Sequence, residues 1–136
     1  MTSTVTGLLL TTDLNQGDRV PLLLADDGDR LDHSYLSGVL TLGDGDTDRE
    51  ICEVEEYPGV RLLVGRLARP GDRQRNQIAG LVLDQYFRPA ANRWWLDLHG
   101  GVVITGLCHC GCPCDLPDPV YDTARSVSDS IPRGNR

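Results

Sequence analysis

The sequence predicts a mainly β fold, a small antiparallel barrel or sandwich of about six to eight short strands with at most one helix. Three observations carry that expectation. Ala occurs six times, Met once and Lys never, so the best helix formers are scarce. Fifteen Gly, eight Pro and sixteen Asp residues supply abundant turn chemistry. The apolar runs are short, and turn residues end most of them. The alternative is an α+β fold with residues 73–87 helical.

Residues 4–11 (TVTGLLLT) read as a first strand, followed by the turn Asn15-Gln16-Gly17-Asp18. Residues 18–25 (DRVPLLLA) form a second, in which Pro21 favours an edge position because it donates no ladder hydrogen bond. After the Asp26-Asp27-Gly28-Asp29 turn, residues 35–42 (YLSGVLTL) fit a strand or a short helix equally. Residues 50–57 (EICEVEEY) approximate the alternation of a half-buried strand, and Pro58-Gly59 suits a type II turn into 60–67 (VRLLVGRL). These two segments predict a β-hairpin.

Residues 73–87 are disputed. Asp72 can cap a helix with Ile78, Leu81, Val82 and Tyr86 on one face, but Gly80 costs such a helix about 1 kcal/mol. A strand over 80–87 is the favoured reading. The segments 93–98 (RWWLDL) and 102–107 (VVITGL), joined through His99-Gly100-Gly101, predict a second hairpin. Beyond Cys114 the apolar residues thin out and prolines recur. The expected organisation is therefore one β-rich domain over residues 1–115 and a flexible tail over 116–136, too poor in apolar side chains to repay the entropy of ordering.

Composition excludes several functions. A formal net charge of −7 opposes binding to a phosphate backbone. The basic stretch Arg61, Arg66, Arg69, Arg73 and Arg75 has no interleaved aromatic residue and reads as a solvated loop. No apolar run is long enough to span a bilayer, and no basic residue precedes the leucines of MTSTVTGLLLTTD, so neither membrane span nor signal peptide is expected. All thirteen basic residues are Arg, which points to a GC-rich genome of the kind that actinobacteria and their phages carry. The expected location is cytoplasmic, or the virion for a phage structural part.

The main chemical signal is Cys108-His109-Cys110-Gly111-Cys112-Pro113-Cys114, which gathers four of the five cysteines. Thiolate and imidazole are ligands that zinc selects, and two sulfurs on one zinc lie roughly 3.8 Å apart. Alternate side chains of an extended strand are separated by about 6.6 Å, so the segment must coil to close on one ion. The expected ligands are Cys108, Cys110, Cys112, Cys114 and His109, with His99 or Cys52 completing the shell. The acids from Asp44 to Glu55 mimic an EF-hand loop in spacing, yet Arg49 stands where the turn needs Gly; they read as an acidic turn. No nucleophile setting is recognisable around His33, His99, Ser34 or Ser37. Trp94 and Trp95 are the candidate partner contact, since Trp is enriched at interface hot spots.

The features together predict a non-enzymatic, acidic interaction or assembly module with a metal-binding cysteine loop, zinc being the expected ion. A protein partner or self-association is the expected mode of action. A small enzyme or small-molecule binder using the Cys/His loop is the alternative.

Overall fold

The computed structural model describes residues 4–11, 18–25, 30–40, 52–57, 61–67, 74–87 and 97–130, with backbone alone at 33, 37, 52–57, 67 and 87. In chain order the elements are β1 (Thr4–Leu10), β2 (Asp18–Leu23), α1 (His33–Leu40), β3 (Cys52–Tyr57), β4 (Leu62–Leu67), α2 (Gln77–Phe87), β5 (Val102–Leu107), β6 (Pro113–Cys114) and α3 (Asp118–Ser130). The sheet runs β2-β1-β5-β4-β3, with the two-residue β6 also paired to β5. All of its pairings are antiparallel.

This overturns the mainly β expectation. The sheet is open between β2 and β3 rather than closed into a barrel, and three helices accompany it. Nor is it a sandwich, because helices cover the sheet. Leu8, Leu10, Leu62, Val64, Val102 and Ile104 pack with Ile78, Ala79, Val82 and Leu83 of α2 and Val120, Tyr121, Ala124 and Val127 of α3. Val5, Leu9, Leu22 and Val103 pack instead with Leu36, Val39 and Leu40 of α1. Leu8 and Leu9 fall in different clusters because successive strand residues face opposite sides. Central β5 is buried at every position, which explains its almost uninterrupted apolar run.

Each helix has a local cause. Asp32 caps α1, its Oδ1 accepting from the Tyr35 amide at 3.0 Å. Asn76 caps α2, its Oδ1 accepting from the Ala79 amide at 3.0 Å, whereas Asp72, the cap expected from the sequence, lies outside the described residues. Ile78, Ala79, Val82 and Leu83 are buried together, a helical repeat that decides residues 77–87 against the favoured strand. The cost of Gly80 is outweighed by that burial.

The expected flexible tail is also corrected over Asp118–Ser130, which is helical and docked. Pro119 occupies the first turn, where a missing N–H costs nothing. Val120, Tyr121, Ala124, Val127 and Ser128 are buried, at the spacing of one helix face. Ala124 and Ser128 complete the stripe that Val120, Tyr121 and Val127 leave sparse. Arg19 stacks 3.9 Å from the Tyr121 ring centroid, which ties α3 to β2.

The hairpin read from residues 50–67 is present as β3–β4. The second expected hairpin is not how β5 is used: its neighbours are β1, β4 and β6, so the strand closing the sheet bridges two earlier hairpins. Trp94, Trp95 and the acidic turn at residues 44–48 lie outside the described residues. Among the described residues, no helix is long and apolar enough to cross a membrane.

Candidate metal centre

The cysteine segment forms the turn between β5 and β6. Gly106 pairs with Cys114 and Leu107 with Pro113. Beyond that ladder the Cys108 amide donates to the Cys112 carbonyl at 2.9 Å, and the Gly111 amide donates to the Cys108 carbonyl at 3.0 Å. Gly111 has φ +89°, a conformation that a side chain would disfavour. A tight turn followed by a residue of positive φ is the common three-residue hairpin loop. Cys108 and Cys112 thus face each other at the neck, while His109, Cys110 and Gly111 form the tip.

That turn solves the spacing problem of an alternating cysteine run. The sulfurs of Cys108, Cys110 and Cys112 all lie within 4.8 Å of one another, close enough to hold a metal ion. Sγ of Cys108 lies 2.8 Å from Sγ of Cys110, so sharing an ion would open this pair by about 1 Å. Cys110 is exposed, Cys108 and Cys112 are half-buried, and these three and Cys114 are thiols. The Cys108 thiol is lowered to about 7, chiefly by its hydrogen bond with the Cys110 side chain and secondarily by the Cys110 backbone. Burial pushes the Cys114 thiol up, and the charges of Cys108, Asp115 and Cys110 add to the effect.

The other expected ligands are placed differently. By strand alternation Cys114 shares a hairpin face with Cys108 and Cys112, yet it is outside the three-sulfur group. Its Sγ occupies room left by Gly106, 3.0 Å from where a β-carbon on that residue would stand. Asp115 anchors this arm, since the Thr6 amide donates to its Oδ1 at 2.8 Å and the Leu116 amide donates to the Thr6 carbonyl at 2.9 Å.

His109 sits at the tip, but Arg61 Nη1 lies 2.7 Å from its Nδ1. Arginine only donates, so that ring nitrogen accepts and is turned to the guanidinium. Arg61 itself adopts φ 57°, and its carbonyl accepts from the Leu107 amide at 2.9 Å. His99 precedes β5 whereas Cys108 follows it, and the strand between them is about 17 Å long. His99 contacts Asp97 at 3.4 Å instead. Cys52 pairs with Leu67, while Gly106 beside the cysteine turn pairs with Leu62. Its backbone is therefore at the far end of β4 from the thiols.

Three supporting residues escape a reading of the sequence alone: Arg61, Gly106 and Asp115. Asp115 and Gly106 adjoin the cysteines but look like ordinary turn residues. Arg61 belongs to a basic stretch nearly fifty positions away, and only the β4–β5 register brings it to the tip. Among the described residues the cluster close enough to hold an ion contains sulfur donors alone. No protein-family model matches this sequence, and neither a curated protein nor a solved structure matches it.

Proposed function

We propose that the chain is a non-enzymatic interaction or assembly module whose β5–β6 turn binds a metal ion through Cys108, Cys110 and Cys112. The observation that carries this reading is the convergence of their sulfurs within 4.8 Å on a turn that backbone hydrogen bonds and Gly111 close by themselves. Backbone hydrogen bonds already hold the turn, so binding costs little reorganisation beyond opening the Cys108–Cys110 pair. Thiolates select soft and borderline ions, zinc and copper(I) among them. Zinc at this turn would draw its fourth donor from water or from a partner, which suits an exposed tip on an assembly part. A net charge of −7 favours a protein partner or self-association over nucleic acid. The proposed setting is the cytoplasm, where thiols persist.

Elemental analysis of the full chain purified without chelator tests the metal. About one ion per chain is expected, lost in the double variant Cys110→Ser/Cys112→Ser, whose circular dichroism stays that of the parent. Metal-free protein whose thiols all react promptly under native conditions would end the reading. A sizing column and a pull-down from the native host test the assembly role, and a monomer that captures nothing would remove it.

A further inference from the structure

We propose that the ion is copper(I), held in a three-coordinate, all-thiolate site by the sulfurs of Cys108, Cys110 and Cys112. This rests on the metal-binding reading above and adds the identity of the ion. Two properties of the cluster lead to it: the number of donors and their kind.

The number is three. A structural zinc site is almost always tetrahedral and closed by four protein ligands. Among the described residues, no further Cys, His, Asp or Glu joins the three sulfurs. Cys114 is fixed in the ladder opposite Gly106, and the next residue is tied to Thr6 by the 2.8 Å bond to Asp115. The Cys114 sulfur shares their face but sits in the room left by Gly106, outside the three-sulfur group. His109 turns Nδ1 to Arg61, His99 lies beyond the far end of β5, and the Cys52 backbone is at the far end of β4.

The kind is uniformly soft. Carboxylate and carbonyl oxygens suit hard ions and imidazole suits several transition metals, whereas thiolate selects copper(I). Copper(I) accepts three sulfurs in a plane, a geometry that a three-residue turn can present from one side. Binding releases the thiol protons to solvent and changes no oxidation state, so no further reactant is needed. The exposed position of Cys110 leaves the ion open to exchange with an external thiol.

The test uses the full chain, reduced and metal-free, titrated anaerobically with copper(I) acetonitrile against a chromophoric copper(I) chelator. X-ray absorption then counts the scatterers on the wild-type complex. The expected result is one copper(I) per chain with three sulfur neighbours and no nitrogen or oxygen, undisplaced by a tenfold excess of zinc. Cys108→Ser, Cys110→Ser and Cys112→Ser should each weaken binding by about a hundredfold or more, beyond what loss of an outer-shell partner costs. Cys114→Ser and His109→Ala should leave affinity within about twofold. Zinc bound in preference, with Cys114 or a water oxygen as fourth ligand, would overturn the copper assignment and leave the metal-binding reading standing. Failure to bind either ion would overturn both. The scatterer count needs no variant, so it decides the matter even if a serine variant misfolds.

Discussion

The two ends of β5 are built on opposite principles. At its start a polar side chain locks the backbone from inside. Asn76, 1% exposed, donates from Nδ2 to the carbonyls of Leu10 at 2.9 Å and Gly100 at 2.7 Å, and its own amide donates to Leu98 at 2.7 Å. At the other end the backbone closes the turn on itself, and the side chains are left over for chemistry. The difference separates two risks. Damage at the first end exposes unpaired groups within the core, whereas damage at the second removes donors from a surface that is already wet.

The largest effect should therefore follow from Asn76→Ala. It strips partners from two buried carbonyls and from the Ala79 amide, whose bond to Asn76 Oδ1 caps α2. At about 1–3 kcal/mol for each buried group left unsatisfied, a loss of about 3–5 kcal/mol is expected. That is a large part of the 5–15 kcal/mol typical of a domain. Urea unfolding measures it, and a loss below about 1 kcal/mol would show that the first end of β5 is not locked.

Helix α3 lies between these extremes, since it follows the cysteine turn in sequence yet belongs to the core. Tyr121→Ala removes a ring that is 7% exposed and the cation–π contact with Arg19. A loss of about 3 kcal/mol is expected, as for other large-to-small core changes, with trypsin then cutting at Arg125. The metal content of the chain should stay as it was. Unchanged resistance at Arg125 would mean that Val120, Ala124 and Val127 hold the helix without the ring.

What the sequence disclosed, and what it hid, follows the same division. Strands were readable wherever alternation or a Pro-Gly turn marked them, as at 50–67. Residues 77–87 misled because one short apolar run fits both periods, and the deciding signal was Asn76 as cap rather than the more conspicuous Asp72. The docked α3 was hidden because Ala124 and Ser128 carry too little hydropathy to announce a stripe. At the candidate site the ligand residues were visible as a cysteine run. Which of them meet was not, because that depends on Gly111 adopting φ +89° and on the register that keeps His99 and Cys52 distant.

Gly106→Ala probes the joint between fold and site. A β-carbon there would stand 2.5 Å from the Asp115 carbonyl oxygen and 3.0 Å from Sγ of Cys114. The first contact is with backbone, so β6 has to move. A cost of about 1–3 kcal/mol is expected, typical of overpacking, together with weaker metal binding as the neck of the turn opens. Metal affinity that is unchanged while stability falls would show that the three thiols form their site independently of β6.

The smallest effect concerns two thiols of the same turn and leaves the fold untouched. Cys108 is lowered from 9.0 to about 7, while burial raises Cys114 above 9.0. In metal-free protein, alkylation of Cys108 should rise with pH to half its maximum near pH 7, and Cys114 should still be gaining rate above pH 9, because the thiolate is the reactive form. Between those values the folded chain binds fewer protons at Cys108 than the unfolded chain. Any stability that this gives is complete above pH 9 and vanishes as pH falls through 7. Cys108 stands too open to solvent for that contribution to be followed by unfolding, so reactivity is the readout, by mass spectrometry of each alkylated cysteine. Cys110→Ala removes the chief cause of the lowering, the thiol–thiol hydrogen bond, and should return the Cys108 midpoint toward 9.0. A midpoint that remains near 7 in that variant would shift the credit to the backbone amides of the turn. The low value would then belong to the hairpin's geometry rather than to its second sulfur.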